Sequence, residues 1–127
     1  MMHSPQQEIF DLCRQIGTEI FDNVHDSRPL SDVTLPFIVI GEQQTVENAN
    51  KSIIIPTVIQ TMNIFADNKK QGTARNLVNQ LKHKLRQQRN TKHFYIDVRN
   101  IRERTIQDNS TQTPLFRIIL EVEFILY

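Results

Sequence analysis

The residues able to do chemistry in this chain are few and scattered. The one thiol, Cys13, falls on the apolar stripe of a helical segment. A cysteine there fills core, because a reactive thiolate needs a basic, accessible setting. The histidines are His3, His25, His83 and His93. Asp22 and His25 stand three apart and have the right types to share a metal ion, but no third ligand is near, so they read as a solvated helix end. No serine sits in a nucleophile elbow. Glu121 and Glu123 point the same way from a strand, yet a wet sheet face explains them better than acid–base work. Three glycines in the whole chain leave no room for a glycine-rich phosphate loop. The expectation is a protein that is not an enzyme and that carries no cofactor and no metal.

The charges are more informative. Between Lys69 and Arg104 stand eleven lysines and arginines against two acids, a net of +9, and the rest of the chain carries −8. Such a split suits binding of an anionic partner, or of another copy, basic face to acidic face. Two independently solvated surfaces are the plainer alternative. Within the basic block, Arg75, Lys82, Arg86 and Arg89 form a stripe on the side of a helix opposite its apolar residues. Such a stripe is able to neutralise phosphates without reading sequence. Aromatic interleaving for base stacking is missing, as is a helix-turn-helix, so sequence-specific DNA binding is poorly supported. Contact with passing DNA or with a neighbouring subunit remains open.

The elements that must carry these residues follow from periodicity. From Phe116, every second residue to Leu126 is apolar, while the interleaved set carries Arg117, Glu121 and Glu123. That is a long strand with one buried face, the centre of the core. Ser4-Pro5-Gln6-Gln7 opens a helix in favourable capping chemistry, and Ile9, Leu12, Cys13, Ile16, Ile20 and Val24 give it an apolar stripe ending near Val24. Leu35 to Ile40 is a short apolar strand entered at Pro36. Gly41 to Ser52 reads as a polar loop, and loops of that length are usually functional or disordered. Gln43, Gln44, Thr45, Glu47, Asn48 and Lys51 are therefore candidate partner-binding residues.

Ile53 to Ala66 is a strand apolar on both faces, its far side covered by the first helix or by a neighbouring subunit. Thr73 to Gln88 is a helix whose buried stripe is Ala74, Leu77, Val78, Leu81 and Leu85. A third long strand runs from about Phe94 to Ile106 and pairs antiparallel with the last. Leu77, Leu81 and Leu85 are expected against Phe116, Ile118, Leu120 and Val122. The whole, residues 1–127, is one α+β domain: two helices on an antiparallel or mixed sheet of about four strands. No apolar run is long enough for a membrane span. Met1-Met2-His3-Ser4-Pro5-Gln6-Gln7 lacks the regions of a signal peptide, and one cysteine fits a reducing compartment.

Several stretches together resemble a known family. Leu35 to Glu42 precedes a polar segment; Pro56 to Phe65 follows, then Asp67 to Gly72, the amphipathic helix and the self-alternating last strand. Over residues 35 to 127 this pattern resembles the tail terminator (tail completion, minor tail) proteins of long-tailed siphophages of Gram-positive hosts. The resemblance implies a hexameric ring that caps the tail tube at the head-proximal end of the virion, after assembly in the host cytoplasm. Its partners would be itself, the major tail tube protein and the head–tail connector protein, with no membrane and no catalytic residue. A head-completion or connector protein of the same junction is the alternative. A small nucleic-acid-binding regulator using the basic stripe is the alternative of another class.

Overall fold

The computed structural model describes residues 3–21, 23–26, 35–50, 53–108 and 115–127. Helix α1 spans Pro5–Ile20, with Ser4 accepting the Gln7 backbone N–H at its N-cap and Pro5 in the first turn. The α1 pattern ends earlier than its apolar spacing suggests. Phe21 is already extended, and Val24–His25 form a two-residue strand, β1, parallel to Ile38 and Val39. The sheet captures Val24, which the helical spacing alone would have kept in α1.

Strand β2 covers Phe37–Asn50 and β3 covers Ile53–Asp67; they pair antiparallel along nearly their whole lengths. Asp67 then caps a short 3-10 turn, Asn68–Lys70, that runs straight into helix α2, Gln71–Gln87. Strand β4 is Ile96–Asp108 and β5 is Leu115–Leu126, paired antiparallel as expected. Among the described residues the sheet has five strands, one more than expected because of β1, in the order β1-β2-β3-β5-β4. It is mixed, and with two helices the protein is α+β.

Both helices lie on one face of the sheet, α1 over β2 and β3, α2 over β3 and β4, and the two helices touch each other. Phe116, Ile118, Leu120, Val122, Phe124 and Leu126 of β5 are all buried beneath them. They share one core with Ile9, Cys13 and Ile16 of α1 and with Ala74, Val78, Leu81 and Leu85 of α2. Leu77, expected in that stripe, is only partly buried at its margin. The far face of β3 is therefore not covered by α1. A smaller cluster of Phe37, Val39 and Phe65 sits there, with the Phe37 and Phe65 rings stacked 4.9 Å apart.

The segment from Gly41 to Asn50 corrects the sequence reading: it is strand, not loop. Gln43, Gln44, Thr45, Glu47 and Asn48 pair with Gln60, Ile59, Val58, Pro56 and Ile55, while Lys51 lies outside the described residues. A bulge between Ile40 and Gln43 shifts the register, so alternation breaks and no period-two pattern survives. Beyond Thr57, the last β3 residue paired to β5, the two strands continue as a two-stranded ribbon. Burial on neither face writes an apolar pattern into Thr45 to Glu47. Pro56 falls just past that limit, where β3 has a neighbour on one side only and a proline is tolerated.

Candidate functional site

The side chains that looked chemical fall into a structural pattern. Cys13 is fully buried, and burial pushes its thiol up to about 12, so it packs rather than reacts. The Asp22–His25 pair rests on Asp22, which lies outside the described residues. His3, Glu8 and His93 do bring three ligand atoms within 4.8 Å of one another. Their geometry suits hydrogen bonding better than a metal. Glu8 Oε1 accepts the His93 backbone N–H at 2.8 Å and the Thr91 hydroxyl at 2.9 Å, and Oε2 lies 2.8 Å from His93 Nδ1. The His3 and His93 rings are stacked, centroids 3.4 Å apart and planes 7° from parallel. A metal sits in the plane of each imidazole that binds it, at about 2.0–2.1 Å, and two stacked planes share no such point.

This cluster ties the first turn of α1 to the 90–95 turn. Burial works against ionisation of Glu8, but the hydrogen bonds from His93 and Thr91 and the His93 charge prevail and hold its carboxyl below the usual range. A carboxylate with a depressed folded pKa stabilises above its unfolded pKa, and that contribution fades as pH falls through the folded one. Protection of the amides at the start of α1 and at residues 91–93, relative to the intrinsic exchange rate, should therefore fall as pH drops below the ordinary carboxylate range. Glu8→Gln should show fast exchange there already at pH 6 and little further acid response. An unchanged acid response in Glu8→Gln would assign it to another carboxylate.

The basic stripe is rearranged by the fold. Arg75, Lys82 and Arg86 do not oppose the buried stripe of α2; they lie on its flank, toward β4. Lys82 Nζ is 2.6 Å from Glu103 Oε1 on β4, and both side chains are partly buried. Arg75 reaches over the Phe116 ring, 5.7 Å from its centroid, and its Nη1 donates to Gln71. Arg86 is exposed. Arg89 lies past the helix end, donating to the Arg86 and Gln88 carbonyls and standing 3.9 Å from Asp97. Of the four cations, Arg86 is thus best placed to meet something outside the subunit. On the opposite flank of α2, Lys84 pairs with Glu19 of α1.

The fold turns the charge split of the sequence into two edges. At one edge, α2 overlies β4, whose Arg99, Arg102 and Arg104 are all exposed. Arg102 pairs with Glu121 of β5 across the open face at 3.3 Å. At the other edge, α1 with the exposed Asp11 overlies β2 with Glu42 and Glu47, while Glu8 and Glu19 of the same helix are turned to His93 and to Lys84 of α2. This separation of sign across the width of the sheet is the candidate interface; sequence reasoning saw the two charge blocks but had no means of placing them.

One buried polar residue escaped sequence reasoning. Gln60 is fully buried on the helix-covered face, and its Nε2 donates to the carbonyls of Gly41, Glu42 and Thr61 at 3.0–3.2 Å. Its Oε1 accepts from Gln43, which also donates to Gln6 of α1. Gln60 thereby fills the bulge of β2 and ties it to the first helix. The signal was a lone glutamine on an otherwise apolar parity of β3.

A family model described as "Tail completion protein gp17" matches residues 7–127. In structure the chain is similar to a chain of the "Virion of native gene transfer agent (GTA) particle", with a TM-score of 0.67 at 8% identity. That match covers 93% of this chain and 92% of the other. At so low an identity it establishes a shared fold. No curated protein matches the chain in sequence.

Proposed function

The chain belongs to the tail completion protein gp17 family, which makes it a structural tail protein of a phage-type virion; from that premise we propose that it is the tail terminator. In this reading six copies form a ring that caps the tail tube at its head-proximal end and joins it to the head–tail connector. The observation that carries the ring is the separation of charge between the α2–β4 edge and the α1–β2 edge. A basic edge and an acidic edge on the same subunit make a contact between unlike patches, and such contacts close into rings when the rotation per copy fits. Lys82 is committed to Glu103 within the subunit; Arg86 is the cation of the stripe that reaches the neighbour. Passing DNA, where it meets the lumen, is held without sequence specificity.

Native mass spectrometry of the purified chain tests this directly. Six copies are expected at low ionic strength, with dissociation favoured by high salt, because exposed charge pairs are screened within about 8 Å at physiological ionic strength. Mixed with tail tubes and, separately, with filled heads, the protein should sediment with the tubes. Binding to filled heads alone would point to a connector of the same junction.

A further inference from the structure

The sheet ends in two open edges that are complementary to each other. Among the described residues nothing pairs with the outer edge of β4, a strand of 13 residues. On the other side β1 covers β2 at Ile38 and Val39, and among the described residues no strand pairs with the outer edge of β2 from Gly41 to Asn50. Long open edges are templates for pairing with another strand. We infer that the outer edge of β4 on one copy pairs with the outer edge of β2 on the next, so that neighbouring sheets run on as one. This rests on the reading of the protein as a ring of like copies and names the contact that closes it.

Direction, charge and level all agree with that pairing. The strands β2, β3, β5 and β4 are antiparallel each to the next. β2 and β4 therefore run in opposite directions. A second copy placed beside the first in the same orientation, as rotation about an axis along the strands requires, puts its β2 antiparallel to β4. That is the slightly more stable ladder, and the contact joins unlike edges, as a ring demands. β4 carries three acids beside its three arginines, but Glu103 is paired with Lys82, Asp97 faces Arg89 and Asp108 is buried. The exposed Arg99, Arg102 and Arg104 therefore set the sign of its outer side, while Glu42 and Glu47 make β2 acidic. Basic β4 edges repel one another, so the pattern disfavours β4 against β4 and favours β4 against β2. One row of the sheet runs Arg102, Glu121, Thr61 and then the Gly41–Glu42 bulge. On a level continuation, Arg102 of one copy comes to Glu42 of the next.

The test uses the full chain, with native mass and amide exchange as readouts. Arg102→Glu and Glu42→Arg should each raise the concentration needed for assembly about tenfold or more, and the two together in one chain should restore it to within about threefold. The outward-pointing amides in 97–104 and 42–50, every second one along each strand, should exchange fast in dilute single copies and slowly in the assembly. Because Arg102→Glu places two acids side by side with Glu121, Arg104→Glu provides a second reading of the same edge, with melting temperature as the control for folding. Single reversals that assemble like the wild type, or edges that exchange as fast in the assembly as in the single copy, would overturn the edge pairing and leave the ring standing. A wild-type chain that stays single at every concentration would overturn both.

Discussion

Leu81→Ala is expected to destabilise the fold by about 2–5 kcal/mol, the range for truncating a fully buried leucine. Leu81 has no exposed surface and lies midway along the buried stripe of α2, in one core with Phe116, Ile118, Leu120 and Val122 of β5. The loss combines the removed apolar area with the cavity left behind. The helix is pinned on both sides, by Lys84 to Glu19 on α1 and by Lys82 to Glu103 on β4. Its freedom to settle into the gap is small, which favours the upper part of the range. Urea unfolding should show a lower midpoint with an unchanged slope. A loss under about 1 kcal/mol would mean that α2 is not seated on β5 as described.

Gln60→Met is expected to cost about 2–3 kcal/mol although it keeps the side-chain volume, because it strips the partners from buried polar groups. The amide donates to three backbone carbonyls around the bulge and accepts from Gln43. Methionine supplies none of these donors. The carbonyls of Gly41 and Glu42 would lose this donor in or beside the core, and the Gln43 amide would keep the Gln6 carbonyl but lose its second acceptor. Amide exchange across residues 40–44 should accelerate more than exchange in β5. Stability within about 0.5 kcal/mol of the wild type would show that water takes over those bonds. The bulge has little room for other rearrangements: a Cβ on Gly41 would meet Asn63 Nδ2 at 2.8 Å and the Thr61 carbonyl at 3.4 Å.

What the sequence by itself determined is the part of the protein where burial writes a period. The buried face of β5 and, but for Leu77 at its margin, the stripe of α2 were legible, because one face of each is enclosed and the enclosed face must be apolar. The N-cap of α1 was legible because Ser4 and Pro5 act locally, through the first turn alone. The end of α1 was not. Val24 satisfies a helical spacing, but pairing with Ile38 in the sheet outweighs it. The strand from Gly41 to Asn50 was invisible because its hydrogen bonds are made by backbone atoms of any residue type. Its bulge also shifts the parity, and Thr45, Val46 and Glu47 are exposed whichever face they point to.

The charge blocks could be counted from the chain, but only the tertiary structure decided that Arg99, Arg102 and Arg104 lie at one edge of the sheet and Glu42 and Glu47 at the other. That placement depends on β5 inserting between β3 and β4, which sends β4 and α2 to the side away from β2 and α1. Strand order is fixed by contacts between residues far apart in sequence. Local pattern, which reports each residue's exposure and not its neighbour's identity, does not contain it.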